Sequence, residues 1–114
     1  VNLLLMKISV GMQLDMPEDV QIAATSSLID TLDFARENMQ RSSDRAKIMT
    51  LILSMTNSQF SQAKEKAFEC LSSVVALYYE YLPDHMGAIW ESTTKAINGA
   101  ANDEDVAKSA LNFW

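Results

Sequence analysis

Apolar and small residues recur along this chain at a fixed interval of 43 positions. Val20, Ala63 and Val106 stand one interval apart, as do Ala24, Ala67 and Ala110, and then Leu28, Leu71 and Trp114. Ile8 pairs with Leu51 in the same way, and Met12 with Met55. An irregular bundle has no reason to hold three triplets in one register. A period between 40 and 47 with two helices per unit is the signature of a HEAT-type solenoid, in which each pair of helices buries its apolar face against the next pair.

The helices themselves follow from local spacing. In the stretch 63–82, Ala63, Ala67, Leu71, Val74, Val75, Tyr78, Tyr81 and Leu82 fall three and four apart. That puts one apolar stripe on a single helix, with Lys64, Glu65, Glu69 and Glu80 opposite it. Pro83 is expected to end the helix, because proline lacks the N–H that the ladder requires. The spacing predicts five more helices. One covers residues 1–12, with Leu5, Ile8 and Met12 on one face. A second runs from about Pro17, read as the first helical residue, through Val20, Ala24, Leu28 and Leu32 to Asn38, with Glu18 and Asp19 suiting its positive end. A third spans 44–56 behind a Ser42 or Ser43 N-cap. A fifth covers 85–98, and a sixth opens on Asp103, Glu104 and Asp105. Small residues at matching places in the second helix of each pair allow close approach of its partner. The expected fold is all-α, an α-α superhelix of about three helix pairs forming one array over 1–114, with repeats near 1–42, 43–84 and 85–114.

Composition excludes the main alternatives. Three glycines and two prolines are too few for the corners of an all-β chain. A net charge of −6 argues against a nucleic-acid partner, which needs clustered Lys and Arg, and suits basic partners or plain solubility. No apolar run reaches the roughly 20 residues of a membrane span, so membrane insertion is not expected. Cys70 is the single cysteine, so no internal disulfide can form, and a reducing compartment fits. The abrupt apolar ends, Val1 to Met6 and Leu111 to Trp114, read as those of a piece of something longer, able to self-associate through exposed terminal repeats.

Several stretches carry a resemblance to a known family. Val20-Gln21-Ile22-Ala23-Ala24-Thr25 with Leu28 and Leu32-Asp33-Phe34, then Leu77-Tyr78-Tyr79-Glu80-Tyr81-Leu82 with Met86-Gly87, and Asp105-Val106-Ala107 leading to Phe113-Trp114, are similar to the N-terminal HEAT repeats of importin-β, near the fourth to sixth. The resemblance covers essentially the whole chain in order. It implies a nuclear transport receptor of cytoplasm, nucleus and nuclear pore, whose first helices line the outer surface. Its second helices would line the inner surface that holds importin-α, basic cargo or the GTPase Ran. It also implies a groove between neighbouring first helices that takes the phenylalanine of nucleoporin FG repeats. One wall would be Leu5, Met6 and Ser9, and the other Asp44, Lys47 and Ile48. Ser9 and Lys47 stand where the family carries apolar residues. The competing reading is that Leu5, Met6 and Ile48 only pack two repeats together. It is weakest for Met6, which lies off the stripe of Leu5, Ile8 and Met12.

The remaining candidates point to no chemistry. His85 at a helix start reads as a surface or capping residue, and Cys70 as a buried or half-buried thiol. One His and one Cys far apart make no metal site, and no nucleophile–base pair, phosphate loop or cofactor motif is present. Catalytic, metal and cofactor residues are therefore expected to be none, and the chain is read as no enzyme. Tyr78, Tyr79, Tyr81 and Trp90 read as packing residues, Trp90 with an outer groove as its other possible place. The acids opening the second helices serve helix dipoles, or alternatively form a rim for basic cargo. Two further readings stay open: a HEAT scaffold of another kind, such as a phosphatase scaffold subunit, and a helical enzyme domain using His85 or Cys70.

Overall fold

The computed structural model describes residues 2–98 together with 105, 106 and 108, with side chains described from Leu5 onward. Over residues 2–98 six α-helices follow one another: α1 (Asn2–Gly11), α2 (Glu18–Thr31), α3 (Arg36–Gln40), α4 (Ser42–Met55), α5 (Ser61–Tyr78) and α6 (Met86–Asn98). No strand occurs among the described residues. The fold is an all-α helical repeat. Glu18 and Ser61, the first residues of α2 and α5, lie 43 positions apart, so the sequence period is also a structural one. Within the pairs α1 packs on α2 and α4 on α5; between them α2 lies along α5, while α4 also meets α6 and α3. First helices thus form one layer and second helices the other.

The stripe on α5 behaves as its spacing requires. Ala63, Ala67, Leu71, Val74 and Tyr78 are buried, Phe68 and Cys70 join them, and Leu82 is buried beyond the helix end. Where α1 leaves its partner, close approach has a specific cause. A Cβ added at Gly11 would lie 2.7 Å from the Cβ of Ala24, so the two helices touch backbone against methyl. That matches the expectation that small residues in α2 admit the neighbouring helix.

Several local expectations are corrected. Pro17 precedes α2 instead of opening it, and its carbonyl accepts the Gln21 N–H at 3.0 Å as the first helical bond. The helix expected to run unbroken to Asn38 stops at Thr31, passes through a 3₁₀ turn (Leu32–Phe34) and resumes as α3. The reason lies in the next repeat. The Tyr78 hydroxyl donates to the Leu32 carbonyl, the acceptor a continuing α-helix would offer to Arg36, and the Ala35 N–H takes the same oxygen at 3.2 Å. Arg36 then lies 5.3 Å over the Tyr78 ring and 3.6 Å from Glu80. Neither Ser42 nor Ser43 caps α4: the cap position is Arg41, without a side-chain bond, and Ser42 is already helical.

The helix expected over 63–82 ends at Tyr78, five positions before the proline. Pro83 has no N–H for the Tyr79 carbonyl, so Leu82 supplies one at 3.1 Å and tightens the chain into a 3₁₀ turn (Tyr79–Tyr81). A second such turn (Pro83–His85) leads into α6. This re-aims side chains: Tyr78 is buried and Tyr81 half-buried, but Tyr79 is 66% exposed and is not a packing residue. Trp90 likewise stands 61% exposed on α6 and is not core. The sixth expected helix, with Asp103, Glu104, Ala110 and the terminal Phe113 and Trp114, lies outside the described residues apart from Asp105, Val106 and Lys108, which are helical, Val106 being buried.

Candidate functional site: a groove between first helices

α1 and α4 do not close on each other along their whole length. Between them lies a cavity of about 260 Å³ lined by Leu5, Met6, Ser9, Asp44, Lys47 and Ile48, with Asn38 and Leu51. All six positions singled out from the sequence meet at this one cavity. Spacing explains why: residues 5, 6 and 9 occupy adjacent turns of α1, and residues 44, 47, 48 and 51 make one stripe on α4. Ile48 is buried and belongs to the core, while Leu5 and Leu51 are half-buried against it. Together they form an apolar floor. Met6, 66% exposed, stands at the mouth as a flexible thioether that can fold over an occupant. The packing reading therefore holds for Ile48, which serves the core and the floor together, and not for Met6.

The polar groups sit at the rim. Ser9 donates its hydroxyl to the Met6 carbonyl at 2.7 Å, one turn back, so it leaves the floor to its apolar neighbours. Asp44 lies 3.5 Å from Arg41 and accepts from the Asn38 amide at 3.4 Å. Lys47 is exposed at the lip.

Two lining residues are absent from the sequence reading of the groove: Leu51, which continues the α4 stripe, and Asn38. Asn38 reaches the groove only because the chain breaks at Leu32–Phe34 and lays α3 against α4. Arg45 fixes that arrangement by donating to the Met39 carbonyl at 2.9 Å, near the C-terminal end of α3. Nothing in the local sequence announces it. Leu28, Leu32, Ala35 and Met39 are all buried and keep the spacing of one continuous helix.

A larger cavity, about 600 Å³, opens on the layer of second helices, lined by Ile22, Gln62, Glu65, Lys66, Phe68, Glu69 and Ser72. Between the layers Gln21 is fully buried and wholly committed. Its amide donates to the Leu14 and Met16 carbonyls at 3.1 and 2.8 Å, and its oxygen accepts the Ser58 hydroxyl at 2.6 Å. It ties the turn inside one helix pair to the turn inside the next.

The remaining candidates stay where their surroundings put them. Cys70 is fully buried; burial, with the Glu69 carboxylate adding to it, pushes its thiol up to about 12, far from the range of a nucleophile. His85 is half-buried in the turn before α6. Among the described residues no three His, Cys, Asp or Glu side chains gather as a metal site, and no helix is long and apolar enough to cross a membrane.

No protein-family model matches the chain. Curated relatives do. The importin subunit beta-1 of Arabidopsis thaliana is 38% identical over 96 residues, 84% of this chain and 11% of its own length. That of Schizosaccharomyces pombe is 32% identical over 115 residues, 99% of this chain and 13% of its own, and that of Saccharomyces cerevisiae 27% identical over 113 residues. The chain thus spans about an eighth of the length of the relatives it matches. A helical repeat on a constant period, matched along nearly its whole length by these three transport subunits, belongs to the importin-β family of nuclear transport receptors.

Proposed function

We propose that the chain serves nuclear import of protein cargo by a receptor moving between cytoplasm and nucleus through the pore, and that its α1–α4 groove takes the phenylalanine side chain of nucleoporin FG repeats. The observation that carries this reading is the shared cavity of Leu5, Met6, Ser9, Asp44, Lys47 and Ile48, apolar below and polar at the rim. Its size suits one ring, since an apolar cavity of roughly 150 Å³ already holds benzene. Burying a phenylalanine side chain stabilises by roughly 1.5–3 kcal/mol, which by itself corresponds to binding no tighter than millimolar. Weak single sites suit passage through a pore, because many shallow grooves along a solenoid hold a repetitive ligand by avidity, yet each lets go quickly. The face of α2 and α5, with its larger cavity flanked by Glu65 and Glu69, is the surface we assign to importin-α, basic cargo or Ran.

The test is an NMR titration of the chain with an FG-repeat peptide, run beside Met6→Asp. Met6 is exposed, so the variant alters the mouth and spares the core; Ile48, at 3% exposure, is the wrong place for a charge. Shifts at Leu5, Met6, Ile48 and Leu51 that fall away in Met6→Asp are the expected result. A folded wild type without shifts at millimolar peptide removes the FG reading and leaves this segment a spacer within the receptor.

A further inference from the structure

We infer that the partner segment seated in the α1–α4 groove carries an acidic residue beside its aromatic one, held by Lys47 at the lip. The inference rests on the reading of this groove as an aromatic-binding site and adds which aromatic segments it prefers.

The rim carries the specificity, because the floor of Leu5, Ile48 and Leu51 offers no polar atom to distinguish one peptide from another. Most rim groups are already engaged. The Ser9 hydroxyl is turned onto its own helix. Asp44, Arg41 and Asn38 satisfy one another, with the Asp44 carboxylate facing Arg41 at 3.5 Å and the Asn38 amide at 3.4 Å. Lys47 lies three residues beyond Asp44 on α4, whose Oδ2 faces both Arg41 and Asn38, and Lys47 itself makes no ion pair or hydrogen bond among the described residues. Its ammonium is the one cationic group lining the cavity, and it is left for an occupant to pair.

From that position a lysine can act twice. Its ammonium can lie over the face of a ring seated below, and it can pair with a carboxylate one residue away along the occupant's backbone. A basic neighbour would meet like charge at the same point. The preference is local and runs against the chain as a whole: a net charge of −6 draws basic segments in from a distance, whereas the lip favours acidic ones on contact. The two effects separate by ionic strength and by position.

Three peptides, identical except for Asp, Ser or Lys next to the phenylalanine, are titrated by NMR into the 114-residue chain, its Lys47→Glu variant and its Lys47→Gln variant, in low and high salt. The acidic peptide is expected to bind the wild type roughly 2- to 5-fold more tightly than the neutral one, the range of an exposed pair, with the basic peptide weakest. Lys47→Glu should reverse that order, Lys47→Gln should flatten it, and high salt should compress it. Peptides that bind in an order unaffected by either substitution overturn the inference and leave the aromatic groove standing. If none of the three binds a folded wild type, the aromatic reading falls, and this inference with it.

Discussion

Replacing Gln21 by Met tests whether neighbouring helix pairs are joined by a buried polar latch as well as by apolar packing. Methionine keeps the length and the apolar stem and deletes every hydrogen-bonding atom. Three bonds disappear, but they do not weigh equally. The Ser58 hydroxyl is 1% exposed and loses its acceptor in a dry site, which costs roughly 1–3 kcal/mol. The Leu14 and Met16 carbonyls lie in a part-buried turn and regain water, so their two bonds together cost only about 1 kcal/mol. With some return from the apolar side chain, the net loss is about 2–3 kcal/mol, or a fall in Tm of roughly 8–12 °C for a domain of this size. Urea titration followed by circular dichroism measures it. A double-mutant cycle with Ser58→Ala locates it: that change also removes the acceptor of the Phe60 N–H in both backgrounds, so a coupling of about 1 kcal/mol reports the Gln21–Ser58 bond itself. A loss below about 0.5 kcal/mol, or strictly additive variants, would show that the two turns are held by packing alone.

Two further perturbations bear on how the layers meet. Gly11→Ala should destabilise by about 1–3 kcal/mol in the same urea assay despite alanine's better helix propensity, because its methyl would meet that of Ala24 at 2.7 Å; a more stable variant would show that α1 can move away at little cost. Burial, partly opposed by Arg36, raises the Tyr78 phenol above its ordinary range. The folded chain therefore keeps that proton longer than the unfolded one. The stability it lends is complete below the unfolded value of about 10 and is lost as pH rises through the higher folded value. Urea midpoints should fall above pH 10 in the wild type and stay flatter in Tyr78→Phe; equal slopes would refute a structural role for the Tyr78–Leu32 bond.

Legibility followed the length scale of the cause. The helix pairs could be read because their period is written in residues that are buried, such as Ala67, Leu28 with Leu71, and Met12 with Met55. The groove could be read because its walls are short stripes on two helices and because six of its positions correspond to those of a family's groove, although Ser9 and Lys47 depart from its apolar residues. What escaped depends on contacts from distant parts of the chain. Tyr78 breaks a helix 46 residues earlier by taking the Leu32 carbonyl, and that break brings Asn38 to the rim. Tyr79 and Trp90 read as packing residues, Trp90 with an outer groove as its alternative, but a 3₁₀ turn swings the first outward and the face of α6 exposes the second. Aromatic character gives no direction. Gln21 shows the same limit from the other side: a glutamine in a helix reads as surface until three partners from two turns close around it.

Whether an aromatic ring lodges between α1 and α4 is tested most directly by contacts between protons of the two molecules. An FG-repeat peptide with an isotopically distinct phenylalanine ring should give intermolecular nuclear Overhauser effects to methyl groups of Leu5, Met6, Ile48 and Leu51, all of which line that cavity. Effects confined to methyls on the opposite layer, such as Ile22, or a bound peptide whose ring shows none at these four residues, would contradict it.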